Sequence, residues 1–257
     1  MANLTDLRTP ITADGKWDSR FGVSLVGWMQ APAVREVLSQ SRAVFAAFDA
    51  VWRSPETLHL TVFGFAIEAG PYAPSKLATL AEWLVESATA FPKEPILAMP
   101  LAVVLREGSI GLELSIDPQV STCLCDLALS AERQTGVSVL CSWATRRPHV
   151  TLGYLASTGV SRMFPAPPSA VVRLEEAVRL EELGLVAFET LELLEIVELA
   201  TIRLAAVPER GNTTLRLRRR CGVSPCVFAR DRAATGDSSI RNKGERYVHA
   251  ISQVREE

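Results

Sequence analysis

Two of the three histidines in this 257-residue chain lie in the same short setting, a histidine followed two residues later by a threonine. His59 and Thr61 belong to the stretch LHLTVFGF, and His149 and Thr151 belong to RRPHVTLGYL. Imidazoles titrate near neutral pH, so one ring can accept a proton while a second donates one. A threonine hydroxyl beside each ring can donate a hydrogen bond to a phosphate oxygen that carries negative charge. The paired motifs therefore predict acid–base catalysis at a phosphate by these four residues.

Each motif has the pattern of a β-strand with one buried side. Because residues two apart share a face of a strand, Thr57, Thr61, Phe63 and Phe65 are expected on the face of His59. Thr57 and Phe63 are thus candidate substrate-binding residues. Phe63 can stack on a base, and the alternative for this ring is a place in the hydrophobic core.

On the second strand, Arg147, Thr151 and Gly153 are expected on the face of His149, and Tyr154 on the opposite, packing face. Arg147 can add a positive charge for a phosphate, which makes it a third candidate substrate-binding residue. The scheme requires no metal or other cofactor. Two histidines without a nearby cluster of carboxylates or cysteines also make a poor metal site.

The two stretches resemble the paired His-x-Thr motifs of the two-histidine (2H) phosphoesterase superfamily, which includes 2′-5′ RNA ligase-like proteins and RNA 2′,3′-cyclic phosphodiesterases. The resemblance covers roughly residues 15–206 and is closest to a branch related to the A-kinase-anchoring-protein ligase-like domain. It implies an α+β, bilobal, pseudo-twofold fold. Two mainly antiparallel sheets would face a central cleft, with helices outside, and the two motifs would line opposite walls. It also implies metal-independent cleavage or formation of 2′-linked phosphodiesters.

One departure from the superfamily's pattern concerns the residues after the second motif. Some RNA-acting members carry an arginine shortly after it, whereas this chain has Gly153 and Tyr154. The sequence therefore leaves two alternatives open, a substitute cation at Arg147 or a different way of holding the phosphate.

Helical and strand-like patterns alternate along the chain, and the two motif strands fall in corresponding places. Three domains are predicted: an N-terminal extension over 1–14, the phosphoesterase-like domain over 15–207, and a polar, weakly ordered tail over 208–257.

The other predicted elements are strands over 21–29, 96–106 and 110–117, and helices that begin at Pro32, Pro74 and Pro118. A strand or loop is predicted over 137–143 and an amphipathic helix over 170–184. The segment 190–207 is predicted to be a strand, with helix as its alternative.

Composition restricts the classes of protein to which the chain can belong. It is 48% hydrophobic and 22% charged with a net charge of −2, which is ordinary for a globular protein and unlike a binder of duplex nucleic acid. The five cysteines form neither a disulfide framework nor a zinc set. No signal peptide or membrane span is indicated, so we expect a cytoplasmic monomer.

The sequence thus predicts a phosphoric diester hydrolase that acts on a 2′,3′-cyclic phosphate or a 2′-5′ linkage, with reversible 2′-5′ RNA ligase activity as a further possibility. The expected partner is a nucleotide or an RNA end. The alternative is a non-catalytic module that binds a nucleotide or an RNA end in the same cleft.

Overall fold

The structure is a computed structural model that describes residues 19–29, 32–46, 48, 50–68, 70, 72–106, 108–143, 147–155, 177–190, 195–204, 213–214 and 218–221. Its three helices are α1 (Pro32–Val44), α2 (Pro74–Glu86) and α3 (Pro118–Thr135). Its strands are β1 (Ser19–Trp28), β2 (Ala50–Trp52), β3 (His59–Phe65), β4 (Ile96–Arg106), β5 (Ser109–Ile116), β6 (Val139–Ser142), β7 (His149–Leu155), β8 (Val178–Leu180), β9 (Glu182–Thr190), β10 (Glu195–Arg203), β11 (Thr213–Thr214) and β12 (Arg218–Cys221).

The strands form one antiparallel sheet in the order β11-β10-β9-β1-β3-β7-β5-β4-β8. The α+β class predicted from the sequence is confirmed. The expectation of two separate sheets is not met in the described residues, because β3 and β7 hydrogen-bond to each other. That junction is narrow, since β3 and β7 share the single register pair Leu60–Val150.

Two short strands tie the halves of the sheet together around this junction. β2 immediately precedes β3 in sequence but pairs with β7, and β6 precedes β7 but pairs with β3. A side-chain hydrogen bond also joins the end of β6 to β3: the indole of Trp143 donates to the carbonyl of Thr61 at 2.9 Å. β2 and β6 therefore each pair with the motif strand that lies farther away in the sequence.

The main hydrophobic core lies between the helices and one side of the sheet. α2 contributes Leu77, Leu80 and Leu84, and the strands contribute Leu60 and Val150, all buried. α3 begins as the sequence predicts, with Asp117 accepting hydrogen bonds from two backbone amides of the first turn, and it ends at Gly136 in the left-handed region. The helices thus cover the side of the sheet that the junction pair faces.

The prediction of a helix over 170–184 is wrong where the structure describes that segment. Residues 178–180 form β8 and residues 182–190 form β9. Val178 and Leu180 are buried while Arg179 is exposed, which is the two-residue alternation of a strand. The part of that helix over 170–176 lies outside the described residues.

The domain boundaries predicted from the sequence remain predictions. Residues 1–18 lie outside the described residues, as does most of 208–257. Within that last range, β11 and β12 pair with β10. No described helix is long and apolar enough to cross a bilayer.

Candidate active site

The two His-x-Thr motifs lie side by side on β3 and β7. Their strands run antiparallel with Leu60 opposite Val150. In that register His59 lies across from Thr151 and His149 lies across from Thr61. Leu60 and Val150 point into the core, so the four motif residues share the opposite face of the sheet. The structure thus brings together the four residues that the sequence predicts to be catalytic.

Both imidazoles are held by the same hydrogen bond. Nδ1 of His59 donates to the carbonyl of Thr57 at 2.8 Å, and Nδ1 of His149 donates to the carbonyl of Arg147 at 3.0 Å. A carbonyl can only accept, so in each ring the Nδ1 atom carries the proton. The lone pair of the neutral ring is therefore on Nε2, which is the atom that can take or give a proton during a reaction.

His59 is the more buried of the two rings, with 8% of its surface exposed. Burial, the nearby charge of Arg53 and, to a smaller extent, His149 together lower the pKa of His59 from 6.5 to about 3. The ring of Trp28 packs against it in an edge-to-face arrangement, with ring centroids 5.8 Å apart. His59 is therefore neutral at physiological pH when no ligand is bound.

A pocket opens on this face of the sheet. It is lined by Ser24, Val26, Arg53, His59, Thr61, Thr151, Tyr154, Val186 and Phe188. Three motif residues line it directly. His149 is not among the lining residues, but it is close enough for its charge to affect the pKa of His59. The pocket combines a polar floor of motif residues with an apolar wall from β1 and β9.

Arg53 is the functional candidate that the sequence interpretation missed. The residue is buried, with 3% of its surface exposed, yet it lines the pocket. Its backbone amide donates to the carbonyl of Leu152 at 2.9 Å. Its guanidinium carbon lies 5.4 Å from the centroid of the Tyr154 ring, and Nη2 donates to Tyr154 Oη at 3.3 Å. The only signal in the sequence is an arginine next to Trp52, six residues before His59.

A β-bulge explains why Tyr154 lines the pocket, whereas the sequence interpretation placed it on the packing face. Against β5, Thr151 pairs with Gly111 and Gly153 pairs with Ile110, so Leu152 is an extra residue. One extra residue shifts the alternation of every later side chain. Tyr154 consequently lies on the same side as Thr151.

A matching bulge removes Phe63 from the face of the motif. Against β1, Thr61 pairs with Val26 and Phe63 pairs with Leu25, so Val62 is the extra residue. Phe63 is fully buried, and its ring lies 6.0 Å from that of Trp83. Phe63 does not line the pocket, and the core alternative weighed for this ring describes its position.

Thr57 and Arg147 act on the histidines through their backbones and do not line the pocket. The Thr57 side chain is buried and donates to the carbonyl of Ser54 at 2.9 Å, which closes the short helical turn before β3. The Arg147 side chain is 76% exposed, and its Nη1 lies 3.7 Å from Glu113 Oε2. The positive charge in the pocket therefore comes from Arg53.

No family model matches the chain, and no curated protein matches it. Solved structures do. The chain is similar to a protein described as a phosphoesterase, at 16% identity over 78% of this chain and 97% of that chain, with a TM-score of 0.47. It is similar to E. coli LigT complexed with 3′-AMP, at 19% identity over 78% and 97% of the two chains, with a TM-score of 0.45. It is also similar to TT0787 of Thermus thermophilus, at 16% identity over 64% and 87% of the two chains, with a TM-score of 0.46.

With identities of 16% to 19% and TM-scores of 0.45 to 0.47, these similarities assign neither a family nor residue roles to this chain. The roles of residues in this chain are therefore inferred from its own geometry.

Proposed function

We propose that this protein is a metal-independent phosphoesterase that hydrolyses a 2′,3′-cyclic phosphate or a 2′-5′ phosphodiester of RNA or of a nucleotide. The observation that supports this most directly is the pair of imidazoles on adjacent strands, each with Nδ1 bound to a carbonyl and each across from a threonine. Such a pair can supply a base and an acid to one phosphate. The substrate phosphate would lie between the two motifs, one on β3 and the other on β7.

The two histidines take different roles in this proposal. His59 is the general base, because it is neutral before substrate binds, and a bound phosphate would raise its pKa toward the range in which the ring can accept a proton. Its Nε2 takes a proton from the attacking water as the water oxygen bonds to phosphorus. The bond from phosphorus to a ribose oxygen breaks, and Nε2 of His149, whose ring enters this step protonated on both nitrogens, gives that oxygen a proton. The product is a phosphate monoester.

Thr61 and Thr151 stabilise the negative charge on the phosphate in this scheme. Each hydroxyl can donate a hydrogen bond to a non-bridging oxygen, and such bonds strengthen as charge accumulates in the transition state. Both side chains line the pocket, which supports the role. Ligation to a 2′-5′ linkage would use the same groups with a ribose 5′-hydroxyl in place of water. The bond from its oxygen to phosphorus forms, and the bond from phosphorus to the 3′ oxygen of a 2′,3′-cyclic phosphate breaks.

The proposal is tested with purified protein and a panel of 2′,3′-cyclic nucleotides and 2′-5′-linked dinucleotides. His59→Ala and His149→Ala should each lower turnover by at least about 100-fold, because each removes one proton-transfer group. Circular dichroism and the melting temperature check that both variants are folded. Turnover at the wild-type level in both folded variants would refute two-histidine catalysis.

The alternative is that the same pocket binds a nucleotide or an RNA end without cleaving it. The pocket's combination of an apolar wall and a polar floor suits a nucleotide as well as it suits a reacting phosphate. Titration with 3′-AMP, the ligand of the LigT structure, separates the two cases. Saturable binding without product from any member of the panel would favour the binding module.

A further inference from the structure

We propose that Arg53 binds the substrate phosphate and that Tyr154 is the positioning residue that holds its guanidinium in place. The inference rests on the proposed function, because it names the cation of the same site. Some superfamily members carry an arginine shortly after the second motif, whereas Gly153 and Tyr154 follow it in this chain. Arg53 would supply that positive charge from another part of the chain.

The first reason is the charge of the pocket. None of its nine described lining residues is acidic, and Arg53 is the one that carries a permanent positive charge. The motif residues add the hydroxyls of Thr61 and Thr151, which can donate hydrogen bonds. A pocket of this composition is complementary to an anion, and a buried guanidinium binds an anion more strongly than an exposed one because water screens it less.

The second reason is that Arg53 is fixed at both its backbone and its side chain. Its amide donates to Leu152, and its carbonyl accepts from Nη2 of Arg42 at 3.3 Å. Arg42 in turn lies over the ring of Trp52, with 5.9 Å between its guanidinium carbon and the ring centroid. Arg53 is also buried and its guanidinium donates to Tyr154, so its side chain loses little conformational entropy when it binds a phosphate.

The third reason is the way in which Tyr154 contacts the guanidinium. The ring packs beside the guanidinium and its hydroxyl accepts one hydrogen bond. A guanidinium has several N–H donors in a rigid fork, so it can serve the phenol oxygen and a phosphate together. Tyr154 reaches this position through the bulge at Leu152, which places the tyrosine in the pocket.

Only the second motif supplies a side chain that holds the Arg53 guanidinium. The residue of the first motif that corresponds to Tyr154 is Gly64, which has no side chain to hold a cation. A single fixed cation makes the otherwise paired site asymmetric and so orients the substrate. The same charge helps to keep His59 neutral before substrate binds, and a bound phosphate would offset that effect.

The decisive experiment measures the binding of inorganic phosphate and of 3′-AMP, by calorimetry and by NMR of the histidine ring protons at fixed low salt. Arg53→Gln should weaken phosphate binding by roughly tenfold to a hundredfold, because it removes a charge-assisted hydrogen bond. Arg53→Lys should restore part of the loss, since it keeps the charge without the planar fork. The charge-matched control is Arg179→Gln, because Arg179 is 60% exposed, pairs with Glu181 and lies outside the pocket.

Tyr154→Phe tests the positioning role, because it keeps the ring and removes only the hydroxyl. It should raise KM for cyclic nucleotides more than it lowers kcat, and it should weaken phosphate binding less than Arg53→Gln does. Phosphate should raise the pKa of His59 in the wild type, and should do so less in Arg53→Gln. If Arg53→Gln fails to fold, Arg53→Lys and Tyr154→Phe carry the test.

Wild-type phosphate affinity in a folded Arg53→Gln or Arg53→Lys protein would overturn the inference, as would a wild type that binds no phosphate. Unchanged binding and an unchanged KM in Tyr154→Phe would overturn the positioning role. If the wild type cleaves no substrate but binds phosphate in an Arg53-dependent way, the proposed function fails and this inference holds. If turnover is normal and phosphate binding does not depend on Arg53, the proposed function holds and this inference fails.

Discussion

At the scale of residues, the two motifs are alike in backbone and unlike in environment. The same Nδ1 bond to the carbonyl two residues earlier holds His59 and His149. His59, however, is buried against the ring of Trp28 and close to the charge of Arg53. Two identical functional groups can therefore take different roles, because burial and a neighbouring cation favour the neutral form of one of them.

The low pKa of His59 predicts a loss of stability in acid. Below its ordinary value of 6.5 the histidine of the unfolded chain binds a proton, whereas the buried ring stays neutral down to about 3. The unfolded state then binds more protons, so the free energy of unfolding falls as pH falls through this range, by about 2 kcal/mol at about pH 5. Urea denaturation at several pH values measures the effect.

His59→Gln supplies the control for this prediction, because glutamine does not titrate. The variant should lack this part of the pH dependence between about pH 6.5 and about pH 3. The same slope of stability against pH in wild type and His59→Gln would show that His59 is not held neutral in the folded protein.

At the scale of elements, two β-bulges decide which side chains line the site. The extra residues Val62 and Leu152 occupy the same place in the two motifs, one position after the threonine. Each reverses the alternation beyond it, so Phe63 lies in the core and Tyr154 lies in the pocket. A bulge depends on the pairing of a strand with its neighbour, which no local pattern reveals.

The strand β2 carries Trp52 and leads into Arg53, and Gly153 allows it to pack closely on β7. A Cβ atom at Gly153 would lie 3.2 Å from the Val51 carbonyl oxygen and 3.4 Å from the Trp52 Cα. Gly153→Ala should therefore push β2 outward, lower the free energy of unfolding by about 1–3 kcal/mol and lower kcat/KM because Arg53 moves with the strand. Thermal denaturation and steady-state kinetics measure the two effects.

Gly70→Ala is the matched control, because a Cβ atom at Gly70 meets nothing within 4 Å. Its stability should stay within about 0.5 kcal/mol of the wild type and its activity should not change. Equal effects of the two substitutions would contradict the tight contact at Gly153.

At the scale of the whole molecule, neither the part of the chain that carries the first motif (residues 19–90) nor the part that carries the second (residues 96–203) contains all the partners of its own strands. β2 pairs with β7, β6 pairs with β3, and β9 pairs with β1. Each of these pairings joins segments that are distant in sequence. The halves are therefore expected to fold together as one cooperative unit, although the sequence pattern repeats.

A chain divided between the end of the turn at Ala88–Ala90 and the start of β4 tests this cooperativity. A fragment of residues 1–93 retains β1 and β3 but loses their partners β9 and β6, so it should show no cooperative thermal unfolding. Circular dichroism and the dispersion of an amide NMR spectrum measure the result. The control is the intact chain with a protease site inserted at residue 93, uncleaved, which should fold. A well-dispersed spectrum from the fragment alone would contradict the prediction.

Sequence patterns were sufficient where local chemistry decides the structure. The strand alternation of β3 and β7, the helix starts at Pro32, Pro74 and Pro118, and the helix end at Gly136 all follow from side-chain spacing and backbone preference. The repeated motif predicted that His59, Thr61, His149 and Thr151 act together, and the pairing of β3 with β7 brings them to one face. Local patterns failed over 178–184, because the spacing of apolar residues there suits a helix as well as a strand. The pairing of β8 with β4 and of β9 with β1 selects the strand.

The sequence by itself determined the four motif residues, most elements and the α+β class, because each depends on interactions within a few residues along the chain. Only the tertiary structure decided that Arg53 and Tyr154 line the pocket, that Phe63 does not, and that Arg147 points to solvent. The physical reason is that these positions depend on strand register, on bulges and on the exchange of β2 and β6 between the halves. Such long-range pairings are fixed by the packing of the whole sheet.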